Sequence, residues 1–197
     1  NYAAGPQALY SNTEGSNNMA IGNGALNANT TASYNIAIGS QALYSVTIES
    51  GLTAVGYQAA RANTSGSGTV AVGYQALTDN TSGNYNSAFG YRALYKNTGT
   101  SANTAIGYKT LYDNAGNSNT AVGSSALIAN QTGNHNTGVG AGALYANTSS
   151  ASYNTALGSE ALFSNTSGGG STAVGYQALY TNTGEIGSTA VGYQAAR

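Results

Sequence analysis

The chain has no cysteine and no tryptophan, and only one proline, one methionine and one histidine in 197 residues. Without cysteine there is neither a disulfide framework nor a thiolate metal site. Charge is nearly as scarce: five Lys and Arg stand against six Asp and Glu, for a formal net charge of −1. A nucleic-acid binder needs a basic stripe, and Arg61, Arg92, Lys96, Lys109 and Arg197 do not form one along the sequence. No apolar run approaches the ~20 residues of a membrane-spanning helix, so no membrane insertion is expected of this segment. Disordered chains are typically charged or proline-rich. This one sets many Ala, Val, Leu and Tyr among its Gly, Ser, Thr and Asn, which reads as an ordered, tightly turning β structure.

Catalytic equipment is missing as well. His135 lies in the turn Gly133-Asn134-His135-Asn136 with no acid at a matching spacing. A general base would need a nucleophile and an orienting partner that nothing here supplies. Glu14, Glu49, Asp79, Asp113, Glu160 and Glu185 stand singly, so no carboxylate pair or metal cluster can be drawn from them. The run Gly168-Gly169-Gly170 lacks the Lys and the helix start of a phosphate loop. Acyltransferases built on six-residue β-coils need an aliphatic at every sixth position, whereas here the aliphatics fall five apart and then twelve. The expectation is no enzyme, no metal and no cofactor.

What is present is a repeat. Ala, a branched aliphatic and Gly recur at Gly5, Gly22, Gly39, Gly56, Gly73, Gly90, Gly107, Gly123, Gly140, Gly158, Gly175 and Gly192. Nine of the eleven spacings are seventeen residues; one is sixteen and one eighteen. A fixed period of this size predicts a stack of similar coils, one continuous array over residues 1–197, in place of a globule with a single pocket. The aliphatic before each Gly and the Leu four residues after it (Leu26, Leu43, Leu77 and onward) are the two large aliphatic columns. Helix is a poor reading, because every repeat carries a Gly in its most apolar part and an Asn-Thr-Ser-Gly cluster soon after. Val and Ile beside Thr and Tyr fit strands, and one coil has room for two short strands and two turns. The fold class expected is therefore an all-β, parallel β-solenoid of seventeen-residue coils.

Strand alternation places Val or Ile on one face with the following Tyr, and the preceding Ala, the Gly and the Gln on the other. A bare Ala/Gly face suits close approach of another backbone. Each coil offers about two large aliphatics against the ordering cost of seventeen residues, so a lone coil stack looks short of core. The expectation is burial of the Ala/Gly face against sister chains, most readily in a homotrimer.

Stacking places each residue above its equivalent. Asn stands seven residues after Gly at Asn12, Asn29, Asn63, Asn80, Asn97, Asn114, Asn130, Asn147, Asn165 and Asn182, with Val46 the one exception. Such a column either closes the turn and bonds to the Asn above it, or is exposed and binds something. Tyr forms two columns, one after the Gly (Tyr57, Tyr74, Tyr91, Tyr108, Tyr176, Tyr193) and one five after it (Tyr10, Tyr44, Tyr95, Tyr112, Tyr145, Tyr180). These rings stabilise the stack, or offer a surface to cell-surface glycans. Two Thr columns suit strands and turn edges, or an ice-binding array. The sequons, such as Asn63-Thr64-Ser65, are by-products of the repeat.

The repeats, as in Ser171–Tyr180 and Ser188–Ala196, resemble the Asn-Thr-Ala-Val-Gly-Tyr-Gln-Ala-Leu arrays of trimeric phage tail fibres and bacterial surface fibres. More distantly they are similar to the head repeats of YadA-like trimeric autotransporter adhesins, whose coils are shorter. The resemblance covers essentially the whole chain. It implies a left-handed β-roll assembled as a homotrimer, found outside the cell, on its surface or on a virion, and supporting adhesion or host attachment. Asn1 and Arg197 both lie partway through a coil, which reads as a segment of a longer fibre. A filament built by end-to-end stacking and an ice-binding solenoid are the alternatives.

Overall fold

The computed structural model describes residues 1–197 and contains twelve three-residue strands and no helix. In chain order they are β1 Tyr2–Ala4, β2 Met19–Ile21, β3 Ile36–Ile38, β4 Thr53–Val55, β5 Val70–Val72, β6 Ser87–Phe89, β7 Thr104–Ile106, β8 Thr120–Val122, β9 Thr137–Val139, β10 Thr155–Leu157, β11 Thr172–Val174 and β12 Thr189–Val191. The chain divides into two compact units: Asn1–Ala102 holds β1–β6, and Asn103–Arg197 holds β7–β12. Each unit is a parallel β-solenoid in which every coil contributes one strand. Consecutive strands pair at a shift of one coil, as in Ala37↔Ala54 and Ala54↔Ala71 in the first unit, and Ala105↔Ala121 and Ala156↔Ala173 in the second.

One strand per coil, not two, corrects the sequence expectation, and the backbone gives the reason. After the strand, Gly turns the chain and alternate residues then take left-handed conformations: Gln58 (φ 55) and Ala60 (φ 48), Gln75 (φ 53) and Leu77 (φ 53). The inter-coil bonding nevertheless continues around this corner. Gln58 N–H donates back to Ser40 O at 2.9 Å, while Ala60 N–H donates forward to Ala76 O at 2.9 Å. A left-handed residue other than Gly costs roughly 1–2 kcal/mol, and the ladder on both sides holds it there.

The repeat Gly is required for two reasons. At Gly56 φ is +133°, and an added Cβ would stand 2.3 Å from Gly73 O in the next coil. The close approach that the Ala-x-Gly pattern signals is therefore between coils of one chain.

The second correction concerns faces. The strand-centre Ala points inward: Ala20, Ala37, Ala54, Ala71 and Ala88 are fully buried, as are Ala105, Ala121, Ala156 and Ala173. Leu26, Leu43, Leu77 and Leu94, with Leu111, Leu127, Leu144 and Leu162, fill the interior opposite them. The space is fitted to a methyl group. At Gly138, where the strand centre lacks one, an added Cβ would already lie 3.3 Å from Leu127 Cδ1. The bulky side chains flanking Ala consequently face out. Ile21, Ile38, Val55 and Val72 are half-buried, and Phe89, Ile106 and Leu157 are 39%, 42% and 49% exposed. The Ala face expected to meet sister chains is used up inside the coil.

Candidate functional site

The first Asn column sits where the chain leaves the turn, with Asn29, Asn63, Asn80, Asn97, Asn130, Asn147 and Asn165 fully buried and Asn12 half-buried. Asn80 shows the arrangement. Its Nδ2 donates to Asn63 Oδ1 one coil below at 3.1 Å and to Gly83 O at 3.0 Å. Its Oδ1 accepts from Asn97 Nδ2 at 2.9 Å. The second unit repeats this: Asn130 Nδ2 reaches Asn114 Oδ1 and Gly133 O, both at 2.8 Å, and Asn147 Nδ2 reaches Asn130 Oδ1 at 2.6 Å. Asn165 Nδ2 donates to Gly168 O at 2.8 Å, and Asn182 Oδ1 accepts from Glu185 N–H at 3.0 Å. This column is interior, with no surface to offer a ligand. Where Val46 interrupts it, Asn29 Oδ1 is left buried without a partner.

A second Asn column, four residues before the Gly, was not singled out from the sequence although its offset is constant. It comprises Asn1, Asn18, Asn35, Asn86, Asn103, Asn119, Asn136 and Asn154. Within each unit the Oδ1 accepts the backbone N–H of the equivalent residue one coil on, as with Asn35 N–H to Asn18 Oδ1 and Asn136 N–H to Asn119 Oδ1, both 2.9 Å. The Nδ2 groups of Asn1, Asn18, Asn86, Asn119, Asn136 and Asn154 reach the carbonyl that the first column also uses, as where Asn119 Nδ2 lies 2.9 Å from Gly133 O; Asn35 Nδ2 reaches Glu49 O in the coil where Val46 interrupts that column. The two columns brace one corner of the coil from both sides, which satisfies polar groups that burial would otherwise strand.

Outside, the residues two after the Gly form amide files. Gln58 Nε2 donates to Gln41 Oε1 (2.8 Å), Gln75 Nε2 to Gln58 Oε1 (2.9 Å) and Arg92 Nε to Gln75 Oε1 (2.8 Å). In the second unit Gln194 Nε2 donates to Gln177 Oε1 (2.9 Å) and Gln177 Nε2 to Glu160 Oε2 (2.6 Å). The Tyr columns stack face to face. Tyr57, Tyr74 and Tyr91 are spaced at 5.3 Å, and Tyr145, Phe163 and Tyr180 at 4.8 and 5.1 Å. Tyr74 and Phe163 are covered by rings on both faces. His135 is exposed and stacks on Tyr153 at 5.1 Å.

The two Thr columns differ. Thr13, Thr30, Thr64, Thr81 and Thr166 each donate their hydroxyl to a carbonyl of the next coil. In the second unit Thr104, Thr120, Thr137, Thr155, Thr172 and Thr189 form an unbroken outward column on the strands, beside the aliphatic one. The sequon residues Asn29, Asn63, Asn80, Asn130, Asn147 and Asn165 all belong to the interior column. No pocket is present, and no three His, Asp or Glu side chains converge as metal ligands. No helix is long and apolar enough to cross a membrane.

These features define an all-β solenoid repeat protein whose side chains act as columns and not as a single site. Comparison with protein-family models, with curated proteins and with solved structures finds no match.

Proposed function

We propose that this chain is the structural shaft of a trimeric fibre, extracellular or on a virion, supporting adhesion or host attachment without catalysing a reaction. One observation carries the reading. The strands present an outward, uncharged apolar column, Ile21, Ile38, Val55, Val72 and Phe89 in the first unit and Ile106, Val122, Val139, Leu157, Val174 and Val191 in the second, left half-covered or exposed. A flat ladder bearing one aliphatic per coil, about 4.8 Å apart, is complemented best by a surface with the same repeat, and a further copy of the chain has it. Three copies close around an axis with every such face covered. The oligomer thus uses the Val/Ile face in place of the Ala/Gly face. The left-handed coil follows from the resemblance to β-roll fibres.

Native mass by light scattering tests this. Three chains are expected, falling to a lower mass when Val55→Asp and Val72→Asp introduce charge into the column. A stable single chain, unchanged by those substitutions, overturns it. The unbroken Thr column of the second unit supports a second reading, an ice-binding face, which shaped ice crystals grown with a monomeric protein would bring forward.

A further inference from the structure

The few cations are not spread evenly. In the first unit Arg61, Arg92 and Lys96 all fall on one corner of the coil, between two and six residues after Gly56 and Gly90. Asp79 is the only acid on that corner, since Glu14 and Glu49 lie nine and ten residues after their glycines, past the turn. The exposed Arg61 guanidinium lies 5.9 Å from the centre of the Tyr44 ring. That of Arg92 lies 5.2 and 5.3 Å from Tyr91 and Tyr95, and only its Nε is committed, to Gln75. Neither Arg forms an ion pair. The Asp79 carboxyl is pushed above its ordinary range by burial, which Lys96 and Arg61 only partly offset.

We propose that this corner, formed by Arg61 and Arg92 with Tyr57, Tyr74 and Tyr91, binds an acidic polysaccharide through its carboxylates or sulfates. The guanidinium forks offer paired donors to a planar carboxylate or a sulfate, and the Tyr44, Tyr91 and Tyr95 rings they lie over hold them in place. Arg61 and Arg92 stand two coils apart, ~10 Å along the stack, which suits an extended glycan carrying one acid on every second ring. Neutral sugars are disfavoured at the centre of the file, because both faces of Tyr74 on which a pyranose would stack are closed by Tyr57 and Tyr91 at 5.3 Å. Nucleic acid is disfavoured too: it carries about one charge per 1.7 Å of duplex, and this corner has three cations and one carboxyl. All of these residues lie within one unit of a single chain.

The test is affinity electrophoresis of the purified chain through gels containing polygalacturonate, heparin or neutral dextran at low ionic strength. Retardation by the two acidic polymers and not by dextran is expected. Arg61→Gln with Arg92→Gln should weaken it at least about tenfold, and Arg61→Gln alone, at an exposed position, should weaken it in part. Arg197→Gln should leave it unchanged. The proposal is overturned if the acidic polymers do not retard the chain, if the Arg variants migrate like the parent, or if duplex DNA competes as well as polygalacturonate. Native mass measured on the same samples reports separately on the fibre reading.

Discussion

Replacing Asn80 by Ala removes three side-chain hydrogen bonds from a fully buried corner: Asn80 to Asn63, Asn80 to Gly83 O, and Asn97 to Asn80. At a net worth of about 1 kcal/mol each, the direct loss is about 3 kcal/mol. Some partners are not orphaned, since Asn63 Oδ1 still accepts from Gly66 N–H and Asn97 Nδ2 still donates to Thr100 O. Gly83 O loses its donor from this column, which adds to the cost. A destabilisation of about 3–4 kcal/mol is therefore expected in equilibrium urea unfolding followed by circular dichroism. An exposed Asn replaced by Ala would stay within ~0.5 kcal/mol, so a change that small would refute the buried-ladder account. The natural gap at Val46 provides the converse. Val46→Asn gives the orphaned Asn29 Oδ1 a donor worth about 1–3 kcal/mol and forfeits about 1.5 kcal/mol of aliphatic burial. Its net effect is small, but the donor's part should vanish when Asn29 is already Ala, a coupling of about 1 kcal/mol that a double-mutant cycle reads directly.

Gly56→Ala meets both a φ of +133° and a carbonyl 2.3 Å from the new Cβ, so a loss of about 3–5 kcal/mol is expected in the same assay. Gly51→Ala, at φ +71° with nothing within 4 Å, should cost only about 1 kcal/mol, and equal losses at the two sites would show that contact between coils is not what selects Gly56. Asp79 has its carboxyl raised by burial, so the folded state holds its proton more tightly than the unfolded state. That contribution to stability is complete below the unfolded value, about pH 4, and is lost as pH rises through the raised folded value. Asp79→Asn should accordingly be more stable than the parent at pH 7, with the advantage gone near pH 3; an advantage that grows on acidification would reverse the sign of the argument.

The period, the Leu column, the repeat Gly and the first Asn column could all be read from the sequence, because each recurs at a constant offset. The direction in which the strand faces could not. Thr-Ala-Val alternation allows either the Ala side or the Val side to be interior, and the usual preference for large residues inside favoured the wrong one. What decides is the size of the coil: Leu from the turn already fills it, and only a methyl fits opposite, as the 3.3 Å approach at Gly138 shows. The left-handed turn was hidden for a related reason. Leu occupies one of its strained positions in most coils and Gln the other in half of them, and only Gly24 and Gly142 in the Gln column signal the backbone beneath. The second Asn column was visible as a pattern, but its use, accepting a backbone N–H from the next coil, needs the corner geometry.

The scarcity of charge follows from the same stacking. A column repeats one residue about every 4.8 Å, and two like charges at that distance repel by about 1 kcal/mol even in bulk water and by several times that near a protein surface. A seventeen-residue repeat with a charged position would add that penalty at each step, so the repeated positions are amides, hydroxyls, aromatics and aliphatics. Where charges do enter the amide files, their place is set by direction. Gln58, Gln75, Gln177 and Gln194 all donate from Nε2 to the coil before them, so each file runs one way. A carboxylate only accepts and must end the file on its low-numbered side, where Glu160 stands below Gln177. A guanidinium only donates and must end it on the high-numbered side, where Arg92 stands above Gln75. A carboxylate at position 92 would face Gln75 Oε1 with no proton between them, so the sign of each charge is dictated by the polarity of the file it closes.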